Sequence, residues 1–178
     1  MENSIGDLRR KDEIWIRSLL KKNSNGDTRT VDRDNPPTFE EFHEANVMHI
    51  NDVKSVMSEL SHECNRMGRG HDFTKLSREK EFYSDFMRTL NDDPSMPDAF
   101  KFEEGEWYMM HVAAERHHLN ENAPEDVNLL DVIEMIVDKV CAAKARGGSC
   151  DYNISDYLLQ RAYHNTYDLI DDITEVEE

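Results

Sequence analysis

The sequence predicts an all-α fold, a single helical bundle of about six helices. Three observations lead there. Apolar residues recur at three- and four-residue spacing in one segment after another, the rhythm of a helical face. No segment shows the strict alternation of a half-buried strand over a useful length. Hydrophobic residues make up 38% of the chain against 33% charged, which suits amphipathic helices around one core better than a large buried sheet. The 178 residues correspond to about one domain, enough to bury a core without disulfides or a structural metal.

Residues 7–21 are expected to form the first helix, with Leu8, Ile14, Trp15, Leu19 and Leu20 as its apolar positions and Trp15 as core packing. These positions fit an ordinary core contact or a homodimer contact equally well. Residues 22–37 are polar, rich in Asn, Asp and Gly, and close on Pro36-Pro37, as a connector does. Thr38 before Glu40 and Glu41 is a helix start. The second helix is expected over 39–66, with Phe42, Val47, Ile50, Val53, Met57 and Leu60 at helical spacing, ended by Gly68 and Gly70. A third covers 77–91, with Phe82, Phe86 and Leu90 on one face, and Pro94 and Pro97 break the chain after it. A fourth, 103–118, carries Trp107, His111, Glu115 and His118. The fifth, 128–146, has Asp126 or Asn128 as its cap and Gly147-Gly148 as its stop. The last, 153–172, presents Ile154, Tyr157, Leu158, Ala162, Leu169 and Ile170. The chain thus divides into an N-terminal helix and connector (1–37), a helical domain (38–174) and an acidic tail (175–178) expected to fray.

The formal net charge is −17. Such a chain has no generic electrostatic attraction for double-stranded nucleic acid. A bound cation would reverse the potential locally, so a small anionic substrate stays compatible. The same charge admits a different class of function, an acidic mimic of nucleic acid that blocks a nucleic-acid-binding protein. Cys64, Cys141 and Cys150 are odd in number and lack the spacing of a disulfide framework or a zinc site. Cysteine usage points to a reducing, cytoplasmic setting. Met1 to Leu20 has no signal-peptide apolar core, and no apolar run approaches the roughly 20 residues of a membrane span.

Candidate chemistry begins at His71-Asp72, with Lys75 close behind. An adjacent His and Asp reach one metal ion when the backbone turns between them. His49 lies in the apolar rhythm of the second helix and faces inward, whereas His43 and His62 read as surface residues. In the fourth helix His111, Glu115 and His118 stand at i, i+4 and i+7 on one stripe, and His117 points about 100° away from His118. In the fifth, Asp131, Glu134 and Asp138 fall within about 60° of one another beside the apolar arc, and Asp131 also suits the helix's first turn. Taken singly, each has an ordinary explanation: a capping Asp, a hydrogen-bonded core His, a salt-bridged stripe, a solvated acidic edge. Together they offer imidazole and carboxylate from separate helices, a donor set for Mn, Fe, Co, Ni or Zn.

In this arrangement the chain resembles the HD-domain superfamily, in which a His, a His-Asp doublet and a distant Asp hold a metal on a helical bundle. The matching positions are His49, His71-Asp72 and Asp138, with Lys75 completing His-Asp-x-x-Lys. His111 and His117 or His118 resemble the additional histidines of two-metal members. More closely, the run from His49 to Asp138 is similar to an uncharacterised family of small HD-like proteins common in phages and bacteria. Its pattern reads here as His49-Ile50-Asn51-Asp52-Val53, His71 to Lys75, His111, His117-His118 and Glu134-Met135-Ile136-Val137-Asp138. No Gly-Tyr-Pro follows the histidine pair, so the resemblance implies nothing about cyclic dinucleotides.

The resemblance implies one or two divalent transition-metal ions, held by His49, His71, Asp72 and Asp138, with His111 and His118, or His117, at the second. Asp72 would bridge them. It implies hydrolysis of a nucleotide or other small phosphoester by metal-activated water, in the cytoplasm of a bacterium or of a phage-infected host. Lys75 would steady phosphate charge, or pair with a neighbouring acid. Glu115 or Glu134 would orient a ligand imidazole or move a proton, and Arg116 would contact a substrate phosphate or neutralise acidic surface. The competing expectations are the acidic mimic and a metal-binding scaffold without turnover.

Overall fold

The computed structural model describes residues 18–20, 34–93, 95–96, 99–120, 123–150 and 153–176. The fold is all-α: helices α1 (Phe39–Gly70), α2 (Phe73–Ser77), α3 (Glu79–Asn91), α4 (Glu106–Ala114), α5 (Leu129–Arg146) and α6 (Asp156–Asp172) form it, with a 3-10 turn at Phe102–Glu104. The exceptions are two three-residue strands, β1 (Ser18–Leu20) and β2 (Thr174–Val176). No helix among the described residues is long and apolar enough to cross a membrane. Two compact units are formed, one by residues of 66–165 and one by residues of 14–65 and 166–178.

In the unit of residues 66–165, the apolar centre is Val127, Val132, Met135 and Ala162, with Leu119, Leu129, Ile154 and Leu158 against it. These are positions of α5 and α6, of the loop before α5 and, for Ile154, of the segment leading into α6. That loop is fastened by side-chain amide and guanidinium donors. Arg161 Nη2 donates to the carbonyls of Ala123 and Pro124 at 3.2 and 3.1 Å. Asn165 Nδ2 donates to those of Glu125 and Val127 at 2.9 and 2.7 Å. Helix α5 starts at a capping box: Asn128 accepts from the Leu130 and Asp131 amides, and the Asp131 carboxylate accepts from the Asn128 amide. Of the two caps the sequence offered, Asn128 is used. Gly147 closes the helix in the left-handed region at φ 68°, where glycine carries no Cβ penalty.

A second apolar group is aromatic. Phe82 of α3 stacks on Trp107 of α4 at 4.2 Å between centroids, and Phe102 lies at 5.9 Å from both. Beside it, Gly105 permits the close approach of Asp85 and Phe100: a Cβ there would stand 2.5 Å from Asp85 Oδ2 and 2.9 Å from the Phe100 ring. Asp85 Oδ2 accepts from the Trp107 amide at 3.2 Å, meeting one of the unpaired donors at the start of α4.

Helix α4 is shorter than the sequence predicts. It stops at Ala114, with Glu115 extended at φ −98°, ψ 113°, so His111, Glu115 and His118 do not share one helical stripe. The third expected helix is α3, which starts at Glu79 rather than at residue 77 because Arg78 leaves helical geometry.

In the other unit, α1 begins at a second capping box. Thr38 Oγ1 accepts from the Glu41 amide at 3.2 Å and Glu41 accepts from the Thr38 amide at 2.7 Å. The Thr38 amide and hydroxyl, both donating to the Glu41 carboxylate, hold it below its ordinary range. Ala45 is the buried residue of α1, whereas Ile50, Val53 and Met57 are exposed. Strands β1 and β2 pair in parallel, Ser18 with Thr174 and Leu20 with Val176. This corrects two expectations. Ser18–Leu20 form a strand rather than the end of a helix over 7–21, whose residues 7–17 and 21 lie outside those described. Glu175 and Val176 belong to β2 rather than to a frayed tail. Three residues are too few to show alternation, which is why the pairing left no trace in the sequence pattern.

Candidate metal centre

The site is assembled where α1 gives way to α2. His71 and Asp72 make the turn, and Asp72 adopts the left-handed conformation, φ 55° and ψ 29°. Among the described residues it is the one non-glycine with positive φ. Asp tolerates this region better than most residues, but a non-glycine there is uncommon and concentrates at functional sites. The reversal lets adjacent side chains converge: His71 Nε2 lies 3.3 Å from Asp72 Oδ2.

Helix α5 meets this turn with two of its three acidic positions. Glu134 Oε1 is 3.0 Å from His71 Nδ1, and Asp138 Oδ1 is 3.4 Å from His71 Nε2. A carboxylate only accepts, so the Glu134 contact places a proton on Nδ1 and leaves Nε2 as the atom that faces Asp72 and Asp138. The third acid, Asp131, belongs instead to the capping box and to Arg116.

Helix α4 and the turn after it supply the other three imidazoles. His111 Nε2 lies 3.5 Å from Asp72 Oδ1, and His117 Nε2 lies 3.6 Å from the same oxygen. His118 Nε2 faces His111 Nε2 at 2.9 Å. Two ring nitrogens so placed must share one proton or one cation, because two lone pairs repel. The sequence reading set His117 and His118 apart by about 100° on a helix. Unwinding at Glu115 removes that constraint, and both rings come to the Asp72 carboxylate. Thr74, which carried no expected role, sits fully buried among them. It accepts from or donates to His111 Nδ1 at 2.6 Å and donates to Glu115 Oε1 at 2.7 Å. Trp107 lies flat on His111, 4.8 Å between centroids and 12° between planes.

Arg116 is committed elsewhere. Its Nε and Nη2 donate to the two Asp131 oxygens at 2.9 and 2.8 Å, and Nη1 and Nη2 donate to Asp126. Lys75 Nζ donates to Asp72 Oδ2. His49 is exposed on α1 and joins none of the groups of ligand atoms found among the described residues. The geometry therefore brings together His71, Asp72, His111, His117, His118 and Asp138, with Glu115 and Glu134 behind them, and leaves Arg116 in its own ion pairs; His49 belongs to the other compact unit.

The electrostatics separate these groups. Burial opposes protonation of His71, but the Glu134 hydrogen bond and the charges of Asp72, Glu134 and Asp138 outweigh it and raise its pKa. Burial dominates at His111 and lowers it to about 4, with Lys75 and His117 acting in the same direction. His118 is lowered to about 4 by burial and by the two neighbouring imidazoles. Burial would raise the Asp72 carboxyl, but the Lys75 hydrogen bond and charge, with His71 and His117, hold it below the ordinary range. At neutral pH the centre thus offers an ionised Asp72 and uncharged His111 and His118, the protonation states of metal ligands.

The residues fit a metal ion on two counts. Asp72 Oδ1 and both ring nitrogens of His117 are buried without a hydrogen bond, and burying such groups unsatisfied is costly. The ligand atoms of His71, Asp72 and Asp138, of Asp72, His117 and His118, of Asp72, His111 and Glu115, and of His71, His117 and Glu134 each lie within 4.8 Å of one another. Ligands on opposite sides of a transition ion are roughly 4 Å apart, so small side-chain adjustments would let each group close on one ion.

Residues 38–176 match the model of a family of unknown function, DUF5662. The chain belongs to this family. No curated protein and no solved structure matches it. The matched span includes every residue of the centre.

Proposed function

We propose that the protein is a metal-dependent phosphohydrolase of the HD type, acting on a nucleotide or another small phosphoester. The observation that carries the reading is the convergence of four imidazoles and the Asp138 carboxylate around Asp72, whose inner oxygen is buried without a hydrogen bond. His71, Asp72 and Asp138 would hold one ion, and Asp72 with His111, His117 and His118 a second. A divalent transition ion bound there supplies a Lewis acid and an acidified water for attack on phosphorus. Glu134 holds the His71 proton on Nδ1 and fixes the ring plane. Lys75, paired with Asp72 at the partly exposed side of the turn, carries the positive charge nearest the centre and would steady a phosphate oxygen in the transition state. The acidic exterior, −17 overall, favours a small substrate over a long polyanion.

The test is metal content by elemental analysis of protein purified without chelators, wild type against Asp72→Asn. Asparagine tolerates the left-handed conformation at 72 and so preserves the turn. About one or two transition ions per wild-type chain, lost in the variant, with phosphate released from a nucleotide panel by wild type alone, would support the reading. Metal without turnover would leave a binding scaffold. Absence of metal after Mn²⁺ or Fe²⁺ is supplied would sink the proposal.

A further inference from the structure

We infer that Thr74 is a positioning residue: with Glu115 behind it, it holds His111 as the Nδ1–H tautomer and turns the Nε2 lone pair toward Asp72. The argument follows from counting protons. Glu115 Oε1 receives two contacts from Thr74, its backbone amide at 3.0 Å and its hydroxyl at 2.7 Å. A carboxylate oxygen accepts and cannot donate. The amide has nowhere else to point, and the single hydroxyl proton is drawn to the same oxygen. The hydroxyl then meets His111 Nδ1 at 2.6 Å with only lone pairs left, so the ring nitrogen must supply the proton. A neutral imidazole with hydrogen on Nδ1 has its lone pair on Nε2, and Nε2 is the atom facing Asp72 and His118.

The arrangement differs from the one at His71. There Glu134 meets the imidazole directly. At His111 the carboxylate acts through a hydroxyl, because Glu115 lies beyond the end of α4 and its side chain reaches back to α2. Burial protects the relay: Thr74 is 0% exposed and Glu115 1%, so water cannot substitute for either member. Trp107 covers one face of the His111 ring and prevents it from tipping away from the hydroxyl. Of the side chains touching His111, Thr74 alone has both a proton to give to Glu115 and lone pairs to offer Nδ1.

The tautomer exists without metal, whereas its use in binding rests on the function proposed above, and the two are read separately. In the chelated full-length protein, long-range proton–nitrogen NMR correlations assign the His111 tautomer directly. Wild type and Thr74→Ser are expected to carry the proton on Nδ1. Thr74→Val, or Thr74→Ala should the valine variant not fold, is expected to move it to Nε2 or to a mixture. Co²⁺ titration, followed by the visible spectrum, then measures the consequence. Affinity should fall about 10- to 100-fold in Thr74→Val, the usual loss when an outer partner of a ligand imidazole is removed, and return to within about threefold of wild type in Thr74→Ser. A wild-type Nε2–H tautomer overturns the proton count. A changed tautomer with unchanged Co²⁺ affinity overturns the positioning role. Wild-type protein that binds no Co²⁺ refutes the metal centre, while the NMR result still decides the tautomer.

Discussion

Replacing Asp131 by alanine should destabilise the protein by roughly 3–4 kcal/mol. The carboxylate is 1% exposed and serves two structures at once. It accepts from the Asn128 amide at 2.9 Å, completing the α5 capping box, and it receives both Nε and Nη2 of Arg116. Loss of a helix cap costs about 0.5–2 kcal/mol. Removing one partner of a buried ion pair costs about 3–5 kcal/mol, reduced here because Arg116 keeps the half-exposed Asp126. Asp131→Asn keeps an oxygen for the Asn128 amide and should cost about half as much. Urea unfolding of chelated protein measures both, with a midpoint shift on the order of 1–2 M for the alanine variant. Because Arg116 stands between Glu115 and His117, the clamp also fixes the turn that delivers two imidazoles. A loss below about 1 kcal/mol at unchanged denaturant slope would refute the reasoning. So would an Arg116→Met variant that keeps its stability yet loses turnover, since the guanidinium would then be serving substrate.

Glu134→Ala should weaken metal binding about 10- to 100-fold, and Glu134→Gln by less, because the amide oxygen still accepts from His71; calorimetric titration would show whether the two are distinguishable. The metal-free protein should lose stability as pH falls from about 6.5 toward 4. His111 is lowered to about 4 in the fold, so it contributes stability above its unfolded pKa of about 6.5 and loses it on acidification, up to about 3 kcal/mol. His71 has the opposite sign, since its raised pKa adds stability at low pH and loses it as pH rises, so a Tm that climbs steadily from pH 7 to pH 4 in scanning calorimetry would contradict this balance. Gly105→Ala should cost about 1–3 kcal/mol, because its Cβ would press on Asp85 and Phe100; a Tm within a degree of wild type would show that both neighbours yield freely.

Much of this was legible from residue pattern because helical periodicity is a local signal. The 3.6-residue rhythm located α1, α3, α5 and α6, and the Asn128 cap and Gly147 stop bounded α5. The His71-Asp72 turn was visible because two glycines precede it. What the pattern did not reveal depends on contacts distant in sequence. Nothing in the composition of residues 103–118 announces that the helix stops at Ala114; the stop follows from Glu115 turning its carboxylate back to Thr74. That one departure converts a stripe of alternating use into a turn, and so recruits His117 and His118 together. Thr74 was overlooked for the same reason, since a hydroxyl between a doublet and a lysine has no meaning until His111 and Glu115 are seen around it. The β1–β2 pair depends on residues over 150 positions apart, beyond any local rule.

The charge balance of the centre argues for a cation over ordinary ion pairing. Around Asp72 stand the carboxylates of Glu115, Glu134 and Asp138, and Lys75 donates to Asp72 itself. Burial keeps His111 and His118 uncharged at neutral pH, whereas the carboxylates around His71 raise its pKa. A surface cluster of this sign would be screened by water and salt. Here His111, His117, Glu115 and Glu134 are buried, where like charges repel more strongly and solvent relieves them less. A divalent ion, as proposed above, would offset that repulsion, satisfy the inner Asp72 oxygen and the His117 ring, and reverse the local potential for an anionic substrate. The imbalance also predicts the consequence of its removal: chelation should lower Tm in wild type and leave Asp72→Asn nearly unchanged, because the variant has already shed the charge at the centre of the cluster.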